Sequence, residues 1–109
     1  MTRWFAIRTA IDGYSFASKA EAKRYVELKL LQQAGAIRHL RLQPRYPLHV
    51  VDTRGLAAHI GDYIADFEYE EPDDLVVTED VKGARTAIFI WKAKHFALEY
   101  GRPVREISR

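Results

Sequence analysis

Cysteine is absent from this chain of 109 residues. Disulfide scaffolds, thiolate zinc sites and cysteine nucleophiles are excluded with it. The absence fits a reducing cytosol without requiring one. No apolar run reaches the length of a membrane span, so no membrane partner is expected. The opening MTRWFAIRTA reads as too short and broken for a signal peptide. An excess of charge of one sign is also lacking: 17 Lys and Arg stand against 15 Asp and Glu, a net charge of +2. A nucleic-acid partner is compatible with that balance, but its footprint must come from spatial segregation of the charges. Repeats, low-complexity tracts and linkers are missing as well. What is there is 48% hydrophobic and 29% charged, the range of a soluble globular chain rather than a disordered one. The length predicts a single domain over residues 1–109, with residues 1–17 as an arm or small hairpin.

Local signals divide the chain. Asp12-Gly13 between two short apolar runs predicts a turn. Ser18 with Glu21 three residues on is a capping box, and the helix it opens is predicted from Lys19 to Ala34, with Gly35 as the left-handed stop. Tyr25, Leu28 and Leu31 form its apolar stripe, widened by Val26 and Leu30. RYPLHVV reads as an extended strand that Pro47 pushes to an edge. AHIGDYIADFEYE alternates from Ile60 to Tyr69 and reads as one strand, paired with RYPLHVV across DTRG. LVVTEDVKG is the next strand, TAIFIWKAKHFALEYG a second helix, and VREI a last short strand. The expected fold class is α/β, a small mixed β-sheet flanked by helices.

Two of these strands carry acids. Alternation places Asp66 in mid-strand on the face of Ile64 and Glu68, where a lone carboxylate is costly to bury. In LVVTEDVKG, Asp80 and Lys82 share a face, about 6.6 Å apart along the strand, and Glu79 points the other way. If the strands are neighbours, Asp66 and Asp80 converge at one edge beside Lys82. Converging carboxylates repel, and a divalent cation removes that penalty. Oxygen ligands without His or Cys suit Mg2+ or Mn2+. On spacing alone an ion pair of purely structural use is the better account, since D-x-K arises often by chance, and Asp66 in mid-strand is what shifts the weight toward function. Glu21 has two readings too. It is the capping-box acid, and it also heads the helical face of Tyr25, Leu28 and Gln32, from which it could join Asp66 and Asp80. His39, His49, His59 and His95 lie on four elements without metal-binding spacing, although His95 could approach a phosphate. Trp4 and Trp91 read as packing residues.

Together, Glu21, Asp66 and Asp80-Val81-Lys82 resemble the pattern of the PD-(D/E)xK superfamily of restriction-endonuclease-like nucleases. A closer resemblance is to the phage and prophage family catalogued as domain of unknown function 1064. GYSFASKAEAKRYVELKLLQQAGAIRHLRLQPRYPL, YIADFEYEE, VVTEDVKG and KAKHFALEYG carry it, in that order, from Gly13 onward. The resemblance implies a restriction-endonuclease-like core and metal-dependent endonuclease cleavage of DNA, with branched recombination intermediates among the implied substrates. It implies Mg2+ or Mn2+ held by Glu21, Asp66, Asp80 and the backbone of Val81, with Lys82 assisting the attacking water. It also implies a phage-encoded protein in the cytoplasm of a bacterial host. Ala65 stands where the superfamily pattern has Pro. The helix after Lys82 lacks the Gln many relatives carry, so Gln43 is the one nearby candidate, and Glu79 leaves the choice of ligand open beside Asp80. Lys19, Lys23, Arg45, Arg85, Lys92 and Lys94 are the candidate phosphate contacts. A homodimer is expected if both strands of a duplex are cut. The alternative is a non-cleaving nucleic-acid-binding or assembly protein on the same fold. A generic α/β domain with an ion-paired edge is the third reading.

Overall fold

The computed structural model describes residues 9–108. The predicted arm falls partly there: β1 (Thr9–Ile11) and β2 (Tyr14–Phe16) pair antiparallel around Asp12 and Gly13, both at positive φ. A two-residue turn with positive φ at both centres matches the twist of a hairpin, and Asp-Gly tolerates it. Residues 1–8 of the arm, Trp4 among them, lie outside the described residues.

Helix α1 spans Lys19–Gln33. Ser18 caps it, its hydroxyl accepting the Glu21 N–H at 3.2 Å. At the other end Gly35 N–H donates to the Gln32 carbonyl and Ala36 N–H to the Leu31 carbonyl, with Gly35 at φ +80. That pair of bonds satisfies two of the last carbonyls and needs a left-handed residue at Gly35. The buried stripe is narrower than expected. Ala22, Tyr25 and Leu28 are buried, whereas Val26, Leu30 and Leu31 are exposed. The sheet takes one row of side chains from this helix, spaced three apart, and among the described residues the broader stripe stays exposed.

The mixed α/β architecture is as expected, but the strands form several small sheets rather than one. β3 (Arg38–Leu42), β6 (Phe67–Glu70), β7 (Val76–Lys82) and β8 (Val104–Ser108) make the principal sheet in that order. β3–β6 and β6–β7 are antiparallel, and β7–β8 are parallel across α2 (Ala87–Tyr100). β4 (Arg45–Val51) and β5 (Ala57–Ile64) form the DTRG hairpin by themselves, so Pro47 sits in a two-stranded ribbon where a missing N–H is tolerated. Thr86 caps α2 at its start and Gly101 ends it in the left-handed conformation.

The strand read as continuous from Ile60 to Tyr69 is broken. It ends at Ile64 and restarts at Phe67. Tyr63, Ala65, Phe67 and Tyr69 are all buried, as alternation requires, but in two different cores. Tyr63 and Ala65 join Tyr46, Leu48, Phe89 and Phe96 under α2. Phe67 and Tyr69 join Tyr25, Leu28, Val77 and Val81 under α1. The chain changes sheets at Ala65–Asp66 while keeping its side-chain parity. Asp66 is therefore at a junction, not in mid-strand.

Candidate active site at the β6–β7 edge

The junction fixes Asp66 by its backbone. Its N–H donates to the Glu79 carbonyl at 3.2 Å, and its carbonyl accepts the Gln43 N–H at 2.9 Å. Gln43 is held at φ +51, and it serves the site through that main-chain bond. β6 pairs with β7 only up to Phe67–Glu79, so the next inward N–H of β7 lacks a strand partner. The Asp66 carboxylate fills the gap: its Oδ2 accepts the Val81 N–H at 2.7 Å. A buried N–H without an acceptor is costly, so Asp66 has a structural use before any chemical one.

Asp80 lies directly beyond. Its side chain is on the α2 side of β7 and is almost fully buried. The Tyr63 hydroxyl donates to its Oδ2. The Asp66 carboxyl is within hydrogen-bonding reach of it. Lys82 Nζ stands 4.0 Å from Asp80 Oδ1 and 4.2 Å from the centre of the Phe89 ring. Burial pushes the Asp80 carboxyl up to about 7; Asp66 pushes the same way, against Tyr63 and Lys82, which favour the ionised form. The Tyr63 phenol is raised well above its usual value, by burial first and then by Asp80.

Glu79 shows the opposite arrangement on the α1 face. It is fully buried, with Arg24 forked onto both oxygens (Nε–Oε1 2.7 Å, Nη2–Oε2 2.9 Å) and the Tyr69 hydroxyl on Oε2 at 2.6 Å. The hydrogen bond to Glu79 holds the Arg24 guanidinium well above its usual value. Burial, with Glu79 second, pushes the Tyr69 phenol up to about 12. The Glu79 oxygens are thus occupied inside the fold, whereas Asp80 shares the face of Lys82.

The structure therefore brings together Asp66, Asp80, Lys82 and the main chain of Val81. Glu21 does not complete the set. α1 packs on the face opposite the Asp80 side chain, and among the described residues no three His, Cys, Asp or Glu come close enough to hold a metal ion. Oxygen donors alone, two carboxylates in contact and one of them raised toward neutrality nevertheless fit a hard cation. Mg2+ in particular binds through one or two carboxylates and keeps several waters.

The candidate phosphate contacts scatter. Arg45 pairs with Asp62 at 2.6 Å and Arg85 with Glu106 at 2.9 Å, and Lys92 donates to the Asp62 carbonyl at 2.8 Å. Lys19, Lys23 and Lys94 are exposed. His95 Nε2 sits 2.9 Å from the His49 carbonyl oxygen and 3.3 Å from Glu99, away from the acids. Sequence reasoning missed Tyr63 and Arg24 as partners of the two acids. Tyr63 could have been suspected, since it shares Phe67's parity three residues before Asp66. Arg24 gave no local signal.

The family described as "Protein of unknown function (DUF1064)" matches residues 1–107. No curated protein and no solved structure matches the chain.

Proposed function

We propose that this chain, which belongs to the DUF1064 family, is a Mg2+- or Mn2+-dependent endodeoxyribonuclease on a restriction-endonuclease-like core. It hydrolyses DNA phosphodiester bonds, branched recombination intermediates included. A phage or prophage origin and action in the bacterial cytoplasm belong to the same reading. One observation carries it: Asp66 and Asp80 meet beside Lys82 where the β6–β7 ladder ends, with Asp80 buried and raised to about 7. Two carboxylates in contact are costly without a cation, and perturbed acids cluster where chemistry occurs.

Asp66 and Asp80 would hold the cation. When bound, it supplies positive charge to the scissile phosphate and to the attacking water. Tyr63 keeps the Asp80 carboxylate aimed, and the Val81 N–H keeps that of Asp66. Lys82 is the cation nearest to Asp80 and is braced by Phe89, which places it to orient the water or to meet the phosphate. Glu21 is left out of the holding pair, and the Val81 carbonyl is the further ligand of this reading.

Cleavage of linear, single-stranded and four-way-junction DNA in Mg2+, Mn2+ or EDTA tests this. Cutting should require the metal, and Asp80→Ala should reduce it by roughly 10²–10³-fold or more, as for loss of a charge-stabilising group. Full metal-dependent cleavage by Asp80→Ala would sink the assignment. The second reading, a non-cleaving nucleic-acid-binding or assembly protein, is favoured by the lack of a three-acid group among the described residues. It predicts intact DNA binding with no cutting of any of these substrates.

A further inference from the structure

The outer face of α2 is apolar where a surface helix should be polar. Phe89 and Phe96 turn inward, yet Trp91 is 80% exposed, Leu98 79% and Ile88 69%. Trp91 and Leu98 are seven residues apart, two turns on one stripe, with Lys94 between them. Trp91 forms a ridge between two hollows. One, of about 420 Å³, is lined by Ile90, Trp91, Lys94, His95 and Leu98. The other, of about 140 Å³, reaches across to Leu48 and Ile60 of the β4–β5 hairpin. Ile60 is itself exposed. The apolar patch is thus continuous over two elements and is larger than the scattered residues normal on a monomer.

We propose that this face is a homodimer interface, with a second copy of this chain as its occupant. A ridge beside a hollow on one surface is self-complementary: a two-fold axis seats each Trp91 ridge in the other copy's hollow. Two such patches would bury on the order of 1,000 Å², the threshold for a specific interface. DNA is the poorer occupant. The hollow offers Lys94 as its cation, while His95 is engaged by the His49 carbonyl and Glu99, and acids stand nearby at Asp62 and Glu99. The inference is independent of the nuclease reading, since assembly is measured without cleavage.

Sedimentation velocity from about 1 to about 100 µM, bracketing a micromolar dimer, tests it on the whole chain. Trp4→Phe leaves Trp91 as the sole tryptophan, so its emission reports burial of this face. The expected result is a dimer that dissociates on dilution with a red shift of that emission. Trp91→Ala and Leu98→Asp, each separately, should be monomeric with unchanged far-ultraviolet circular dichroism. Three results overturn the proposal. A monomer throughout with solvent-exposed emission leaves the face bare. A monomer with a blue shift at every concentration assigns it to the chain's own residues 1–8. A monomer whose emission shifts when single-stranded DNA is added makes Trp91 a base-stacking platform.

Discussion

Glu79 and Asp80 are adjacent in sequence, equally buried, and on opposite faces of one strand. Their surroundings differ in kind. Glu79 receives the Arg24 fork and the Tyr69 hydroxyl, so its charge is neutralised inside the fold. Asp80 receives one hydroxyl, has a second carboxylate beside it, and has its nearest cation at 4.0 Å. Burial, with Asp66 pushing the same way, raises its carboxyl to about 7 against the Tyr63 hydroxyl and Lys82. The first arrangement is complete without a ligand. The second lacks positive charge, which is the feature that separates a candidate site from a structural ion pair.

The sharpest way to break that contrast is on the Glu79 side. Arg24→Ala leaves a fully buried carboxylate without its cation. Removing one partner of a buried pair costs about 3–5 kcal/mol, far more than the pair is worth against apolar replacements. Urea unfolding should show a large fall in midpoint with little change in slope. A loss below about 1 kcal/mol, the scale of a solvated surface pair, would make the two acids equivalent.

Asp80→Asn should act in the opposite direction. The folded-state value near 7 lies above the ordinary 3.8, so the folded chain holds more protons than the unfolded one between those limits. Stability contributed by neutral Asp80 is full below about pH 4 and is lost as pH rises through about 7. Asparagine removes that loss. At pH 8 without metal, Asp80→Asn should be more stable than the parent by up to about 4 kcal/mol, and the gain should vanish near pH 4. Cleavage should be abolished in the same variant. Thermal melts across pH, with and without Mn2+, check both. Equal stability at pH 8 would mean that Asp80 is already compensated.

The parts legible in the sequence were those coded by neighbours. Ser18, Gly35, Asp12-Gly13, the DTRG turn and the Phe89–Phe96 spacing each act within a few residues. The D-x-K face followed from alternation, whereas the adjacency of the two acidic strands was only a condition there and is supplied by the β6–β7 pairing. Alternation failed at Ala65–Asp66 because parity survives a change of sheet, so the pattern reads through the break. β3 went unread because its residues are half-exposed and basic, and His39 at φ +57 disturbs the alternation. Arg24 and Glu79 are 55 residues apart, and no local pattern pairs them. The placement of Glu21 depended on which face α1 covers, a tertiary choice that its helical spacing leaves open.

The smallest effect is the most specific. Tyr63→Phe deletes the hydroxyl that donates to Asp80, while its ring keeps its place among Tyr46, Phe89 and Phe96. The expected cost is about 1 kcal/mol, one hydrogen bond to a carboxylate. Because that bond favours ionised Asp80, its loss should move the Asp80 midpoint further upward, so the cost grows between pH 5 and pH 8. Tyr69→Phe is the matched control: it removes the corresponding hydroxyl from Glu79, where the Arg24 fork remains. It should cost a similar amount and leave the Asp80 midpoint where it is. Stability against pH for the two variants therefore separates a hydroxyl that tunes an acid from one that only fills a hydrogen bond. An unmoved midpoint in Tyr63→Phe would mean that this hydroxyl does not hold the Asp80 value down.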